Sequence, residues 1–236
     1  MRRACFVACL VLACAGVPEP PAPGTSQVWG QLRLVPREGV SRGGAGGGSY
    51  GDRRLRDVEF VDYSQPGFAV VFVEAEPPPG GLLELAIRST RVNTHLDPAI
   101  AAIGAAGRLV VHNATSAAHV LSYPAAGLVQ RLEPDERVEL ALARVGEQGL
   151  FVLDVPDAEA TIFAAPGPFS VVSQTGRFEL RDLAPGRREL RAWHPRFPPT
   201  VESVELAADA QLRVDLEMGV SRGSSGHAEE EHAHAH

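Results

Sequence analysis

The chain has 236 residues, 44% hydrophobic, 22% charged and 6% aromatic, the proportions of a folded domain rather than of a collagenous, coiled-coil or multi-pass membrane chain. Its 22 basic residues are all Arg and face 29 acidic ones; the net charge of −7 argues against a nucleic-acid or anionic-lipid surface. Cys5, Cys9 and Cys14 are the only cysteines, so nothing beyond residue 14 forms a disulfide, acts as a thiolate nucleophile or ligates through cysteine sulfur, and Met218 is the one thioether of the body.

Arg2 and Arg3 precede an apolar stretch from Ala4 to Ala13, and Gly16, Pro18, Pro21 and Pro23 end it. A charged start, a short apolar run and a helix-breaking exit form a secretory signal, too short to span a bilayer. The run Val11-Leu12-Ala13-Cys14 resembles the bacterial lipobox, which implies lipid attachment at Cys14 and a protein anchored in the cell envelope, facing the periplasm or at the outer membrane. Residues 1–13 are then the signal and 14–26 a Pro-rich tether favouring extended, polyproline-like conformations.

Val28–Val35 alternates apolar and polar residues and predicts a strand. The Gly-rich stretch Gly43–Gly51 holds a formal dinucleotide fingerprint, Gly46-x-Gly48-x-x-Gly51, but a strand-like run follows it, so no helix N-terminus would receive a phosphate and the stretch is read as a linker. Phe68–Glu74 is a continuous β-branched and aromatic run, a buried strand ended by Pro77-Pro78-Pro79-Gly80. Strand-like runs recur at Leu82–Ile87, Arg108–His112, His119–Ser122, Arg137–Ala143, Leu150–Leu153 and Thr161–Ala164, whereas Pro98–Ala106 is read as a short helical turn limited by Gly104 and Gly107. Towards the C-terminus come Phe169–Val172, a Thr175-Gly176 turn, Arg177–Arg181, a Pro185-Gly186 turn and Arg187–Trp193. After a connection over His194–Pro199 follow Val201–Leu206 and Gln211–Glu217, all read as antiparallel meander strands. The fold class is all-β, of sandwich type.

The stretch Gly176-Arg-Phe178-Glu-Leu180-Arg-Asp-Leu-Ala-Pro185-Gly186-Arg-Arg-Glu-Leu190-Arg-Ala-Trp193-His194 resembles the carboxypeptidase regulatory-like, or transthyretin-like, β-sandwich module. The alternation agrees: Phe178, Leu180, Leu183, Leu190 and Ala192 share one face, while Arg177, Glu179, Arg181 and Arg191 point to solvent. The resemblance implies a non-catalytic module whose opening strands are Val28–Val35 and Phe68–Val73, with the intervening region inserted between its halves. Within that region, Leu96-x-Pro98-x-Ile100, Gly107-Arg-Leu-Val-Val-His112-Asn113, His119-Val-Leu-Ser122 and Gly149-Leu-Phe-Val-Leu153-Asp154-Val155-Pro156 resemble the Greek-key cupredoxin domain of methylamine-utilisation-type periplasmic proteins. The implied organisation is 27–79 and 166–219 for the regulatory-like unit, 80–165 for the cupredoxin-like unit and 220–236 for a disordered His/Glu-rich tail.

A blue-copper centre needs two imidazoles, a thiolate and a long axial thioether. Carried over by resemblance, His119 stands at the first ligand position, but Leu153 replaces the Cys, Pro156 the second His and Glu159 the Met, so His119 is a vestige and no copper cofactor is expected. Convergence of His95, His112 and His119 is the weaker alternative to ordinary polar contacts, and His194 is read as structural. The tail His227-Ala-Glu229-Glu230-Glu231-His232-Ala-His234-Ala-His236 supplies four imidazoles and three carboxylates, ligands for Cu(II), Ni(II) or Zn(II) without a fold around them. Neither a Gly-x-Ser-x-Gly elbow nor a His-Glu-x-x-His motif occurs; Glu133, Asp135 and Glu136 look like a solvated turn, and Asn113-Ala114-Thr115 is formally a glycosylation acceptor. The expectation is a non-enzymatic envelope lipoprotein that binds a protein or glycan partner. Metal binding or delivery by the tail is the alternative, and a copper electron carrier is disfavoured by the missing thiolate.

Overall fold

The computed structural model describes residues 19–35, 63, 65–77 and 80–219. It is essentially all-β, with one 3-10 turn at Pro124–Ala126 closed by Gly127 in the left-handed region. The strands form four sheets that pack in sandwich-like pairs around two cores.

In the first pair, β1 (Ser26–Val35) is the centre of a sheet. It has β13 (Arg177–Leu183) antiparallel on one side and β16 (Gln211–Arg213) and β17 (Leu216–Gly219) parallel on the other. The facing sheet runs β12 (Phe169–Val171), β2 (Val70–Val73), β14 (Gly186–His194), β15 (Phe197–Leu206). Alternation along β1 sends Val28, Leu32 and Leu34 inward to meet Val71, Val73, Phe178, Leu190 and Met218, while Trp29, Gln31 and Arg33 stay on the outer face.

In the second pair, one sheet is ordered β5 (Ile100–Gly104), β11 (Glu159–Ala165), β10 (Gly146–Val152), β7 (His119–Tyr123), β8 (Leu128–Leu132). The other is ordered β4 (Thr94–Asp97), β3 (Leu82–Ser89), β6 (Arg108–Asn113), β9 (Arg137–Ala141). Leu85, Ile87, Leu96, Leu109, Leu121, Tyr123, Leu150 and Ile162 fill the space between them. Buried Tyr123 pins the adjoining loop: its hydroxyl donates to Gln148 Oε1 and accepts the Ala143 amide at 2.9 Å.

Three expectations change. Pro98–Ala106 is not a helical turn, because Ile100–Gly104 pairs in parallel with β11 and buries Ala101 and Ile103, and tertiary pairing overrides the local propensity of an Ala-rich stretch. Residues 211–217 are two strands rather than one, and they run parallel to β1 rather than as a meander. The chain switches between them at Val214, whose amide donates to Trp29 O at 2.9 Å and whose carbonyl would lie 1.7 Å from a Cβ at position 30, so that only Gly30 admits the crossing. Finally, Phe197–Pro199 belongs to β15 instead of the connection before it.

A smaller third cluster joins the two pairs. Phe163 and Ala165 on the outer side of β11 meet Val70 and Phe72 of β2, with Phe169 and Trp193 at the margin. The Phe163 ring stacks on Trp193 at 4.5 Å and 21°, and tilts against Phe72 at 5.2 Å.

Candidate functional site

His119 opens β7, and Asp154 stands in the turn between β10 and β11. That turn folds back on β7: Leu153 N donates to Val120 O at 2.8 Å, and Val152 N donates to Ala158 O at 2.8 Å. The carboxylate is thereby set against the imidazole, His119 Nδ1 to Asp154 Oδ2 at 2.8 Å, while Oδ1 accepts the Val120 amide at 2.7 Å. Burial pushes the Asp154 carboxyl upward, but the Val120 amide and His119 outweigh it and hold it below the usual carboxylate value. A carboxylate acceptor places a ring proton on Nδ1, so Nε2 is the nitrogen left facing away from the pair. Nε2 is buried without a partner, in a residue only 6% exposed.

The other three positions matched to copper ligands face outward: Leu153 is 59% exposed, and Pro156 and Glu159 are exposed. His112 pairs through Nε2 with Asp135 at 2.8 Å, and His95 on β4 has a buried Nδ1 without a partner. Among the described residues no three His, Cys, Asp or Glu side chains come together to hold a metal ion, so His95, His112 and His119 do not converge. Glu133, Asp135 and Glu136 serve the β8–β9 turn: Glu136 accepts the Glu133 amide at 2.8 Å, Glu133 pairs with Arg131 at 2.7 Å, and Asp135 takes a left-handed φ of 63°.

Asn113 ends β6 fully buried. Its two Nδ2 hydrogens are shared among the carbonyls of Ala117 (2.8 Å), Leu132 (3.1 Å) and Glu133 (3.1 Å), and its Oδ1 accepts from Thr115 N (3.1 Å) and Oγ1 (2.8 Å). An amide nitrogen so enclosed is no glycan acceptor in the folded protein; it cross-links loop 114–118 to the β8–β9 turn.

Near the His119–Asp154 pair the surface mixes polar and apolar side chains. The turn after β3 is tied by Thr90 Oγ1 to Asn93 (2.7 Å to Oδ1) and lifts Val92 to 91% exposure. Val92, Val155 and Pro156 line an open groove of about 530 Å³ together with Ser89, Thr90, Arg91, Asn93 and Thr94, and Leu153, next to Asp154 in the chain, is exposed.

His194 has both ring nitrogens assigned, Nε2 donating to Pro66 O at 3.1 Å and Nδ1 accepting the Arg196 amide at 2.9 Å, and it packs edge-on against Phe197 at 4.8 Å. Burial depresses its basicity, the Pro66 carbonyl opposes that, and the Arg196 charge adds to it. It anchors residue 66, which precedes β2, to the end of β14.

Cys14 and the tail histidines His227, His232, His234 and His236 lie outside the described residues, as does the Gly-rich stretch. No described helix is long and apolar enough to cross a membrane. No protein-family model matches the chain, and no curated protein matches it either. Asp154 is the residue that sequence reasoning passed over. It sits inside the Leu153–Pro156 stretch, but its partner lies 35 positions away and no local pattern signals that pairing.

Proposed function

We propose that the chain is a non-enzymatic cell-envelope lipoprotein, anchored through Cys14, that acts as an interaction module. In this reading a cupredoxin-like unit without its copper ligands is set into a carboxypeptidase regulatory-like unit. The division is supported by the two cores, one built by β3–β11 and the other by β1, β2 and β12–β17.

One observation carries the reading. At the end of the β3–β11 unit where the resemblance would place a metal, His119 is turned onto Asp154, and exposed Val92 and Pro156 line an open groove among Ser89, Thr90, Arg91, Asn93 and Thr94, with Leu153 exposed next to Asp154. Exposed apolar side chains set among polar ones at a loop end suit a protein partner. The test is photo-crosslinking in the native envelope from a probe at Val92. A defined partner should be captured and should be lost in Leu153→Asp but kept in Val201→Asp, a control on exposed β15; capture unaffected by Leu153→Asp refutes the reading. Added Cu(II) should give no intense visible charge-transfer band, because the body offers no thiolate.

The tail supports a second reading, divalent-metal binding or delivery through His227, His232, His234 and His236 interleaved with Glu229–Glu231. Calorimetry of the full chain against one ending at Met218 tests it: the metal heat should vanish with the tail, and equal heats refute it.

A further inference from the structure

Residues 19–25 are fastened to one face of the molecule. Gly24 N donates to Asp209 Oδ1 at 2.6 Å, Thr25 N donates to Ala22 O at 3.0 Å, and Thr25 O accepts the Asp209 amide at 2.7 Å. Glu19 then bridges two strands across the outer side of β1: its carbonyl accepts from Gln211 Nε2 at 3.0 Å on β16, and its carboxylate meets Arg181 at 3.5 Å on β13. Beneath this bridge Gln27, which lies on that outer side, is fully buried and donates to Glu179 at 2.7 Å.

Five residue steps separate Glu19 from Cys14, and a chain rises at most about 3.6 Å per residue, so a lipid on Cys14 lies within about 18 Å of Glu19 whatever those residues do. Such a short tether holds one face of a sandwich near the bilayer at high effective concentration and leaves little room for the opposite face to turn inward.

The chemistry of that face is suited to the position. Trp29 is half-buried at its centre with the Arg213 guanidinium 5.3 Å over its ring, an amphipathic side chain of the kind that favours a polar–apolar boundary. Around it the charges alternate, Arg213 paired with Asp215 at 3.1 Å, Arg181 with Glu179, and Arg33 beside Glu217 in register. A charge-balanced face matches zwitterionic headgroups, whose phosphates accept from guanidinium and whose cations meet carboxylate. With a net charge of −7, long-range attraction to an anionic leaflet plays no part, so the contact depends on the tether.

We infer that the outer face of the β13–β1–β16 sheet, centred on Trp29, rests on the zwitterionic phospholipid headgroup layer to which Cys14 is anchored. The inference rests on the lipoprotein reading. The body has no cysteine after Cys14, so single-cysteine probes are clean. Arg33→Cys on this face and Val201→Cys on the outer face of the opposite sheet of the same sandwich are each labelled with bimane. The full lipidated protein is then reconstituted in phosphatidylcholine vesicles doped with headgroup-nitroxide phosphatidylcholine, after equal melting temperatures confirm that both variants fold. Quenching should be about twofold or more greater at position 33 than at 201, since the two outer faces are separated by the ~10 Å sheet spacing plus a layer of side chains on each side. Equal or reversed quenching in protein that floats with the vesicles overturns the inference and leaves the lipoprotein reading standing. Protein whose mass shows no lipid and which does not float overturns both.

Discussion

Replacing Phe163 with Ala should uncouple the two cores. Phe163 is 4% exposed, and its ring contacts, Trp193 at 4.5 Å and Phe72 at 5.2 Å, belong to the other pair of sheets, so its loss falls on the junction rather than on either core. Truncating a buried Phe costs about 3–5 kcal/mol, of which the two aromatic contacts supply about 0.5–1.5 kcal/mol each. For a protein of this size each kcal/mol moves the melting point by about 2–4 °C, so a shift near 10 °C is expected. Calorimetry reads more than the size of the shift: a single transition in the parent should separate into two in Phe163→Ala, as each pair of sheets melts on its own. Leu121→Ala, confined to the β3–β11 core, should lower that unit's transition without such a separation. If Phe163→Ala melts in one transition within about 2 °C of the parent, the junction does not couple the cores and the reasoning fails.

Asn113→Asp should lower stability by about 3–5 kcal/mol in urea unfolding, because a buried carboxylate oxygen would face the Ala117, Leu132 and Glu133 carbonyls; a loss under about 1 kcal/mol contradicts the network. His194 is held neutral, with a folded-state pKa below its unfolded value of about 6.5, so its stabilisation is complete above that pH and is lost as pH falls through the folded value. The urea midpoint should therefore drop between pH 7.5 and 5, and a drop of the same size in His194→Gln would assign it to other groups. Gly30→Ala should cost about 1–3 kcal/mol by thermal melting, since its Cβ would strike Val214 O, whereas Gly81→Ala, with nothing within 4 Å, should be close to neutral. Equal effects at the two glycines would show that the β16–β17 crossing yields freely.

Much of the strand content could be read directly, because the burial alternates along 28–35, 177–181 and 189–192 and the inward set, Phe178, Leu180, Leu190 and Ala192, is buried together. The elements that escaped are short or borrowed. Thr94–Asp97 and Leu128–Leu132 span too few residues for a period to emerge, and Ile100–Gly104 becomes a strand only because β11 lies alongside. The break at Val214 is likewise set by a distant Gly30 rather than by its own neighbours. At the candidate site, the missing thiolate could be read from the absence of cysteine after residue 14, but the carboxylate partner of His119 could not. The contacts of Glu19 were equally hidden, since a Pro-rich tether carries no pattern that says where it docks.

The order of strands also constrains the history of each molecule. β1 and β2 are made first, yet their hydrogen-bonding neighbours β12, β13, β14, β16 and β17 are made last, after the whole β3–β11 segment. A growing chain must therefore hold two apolar strands unpaired until the intervening body has formed and brought its ends together, a slow closure that leaves exposed edges in the meantime. A chain cut short after β11 would keep the inner body whole and leave β1 and β2 as sticky orphans, a natural target for chaperones and proteases.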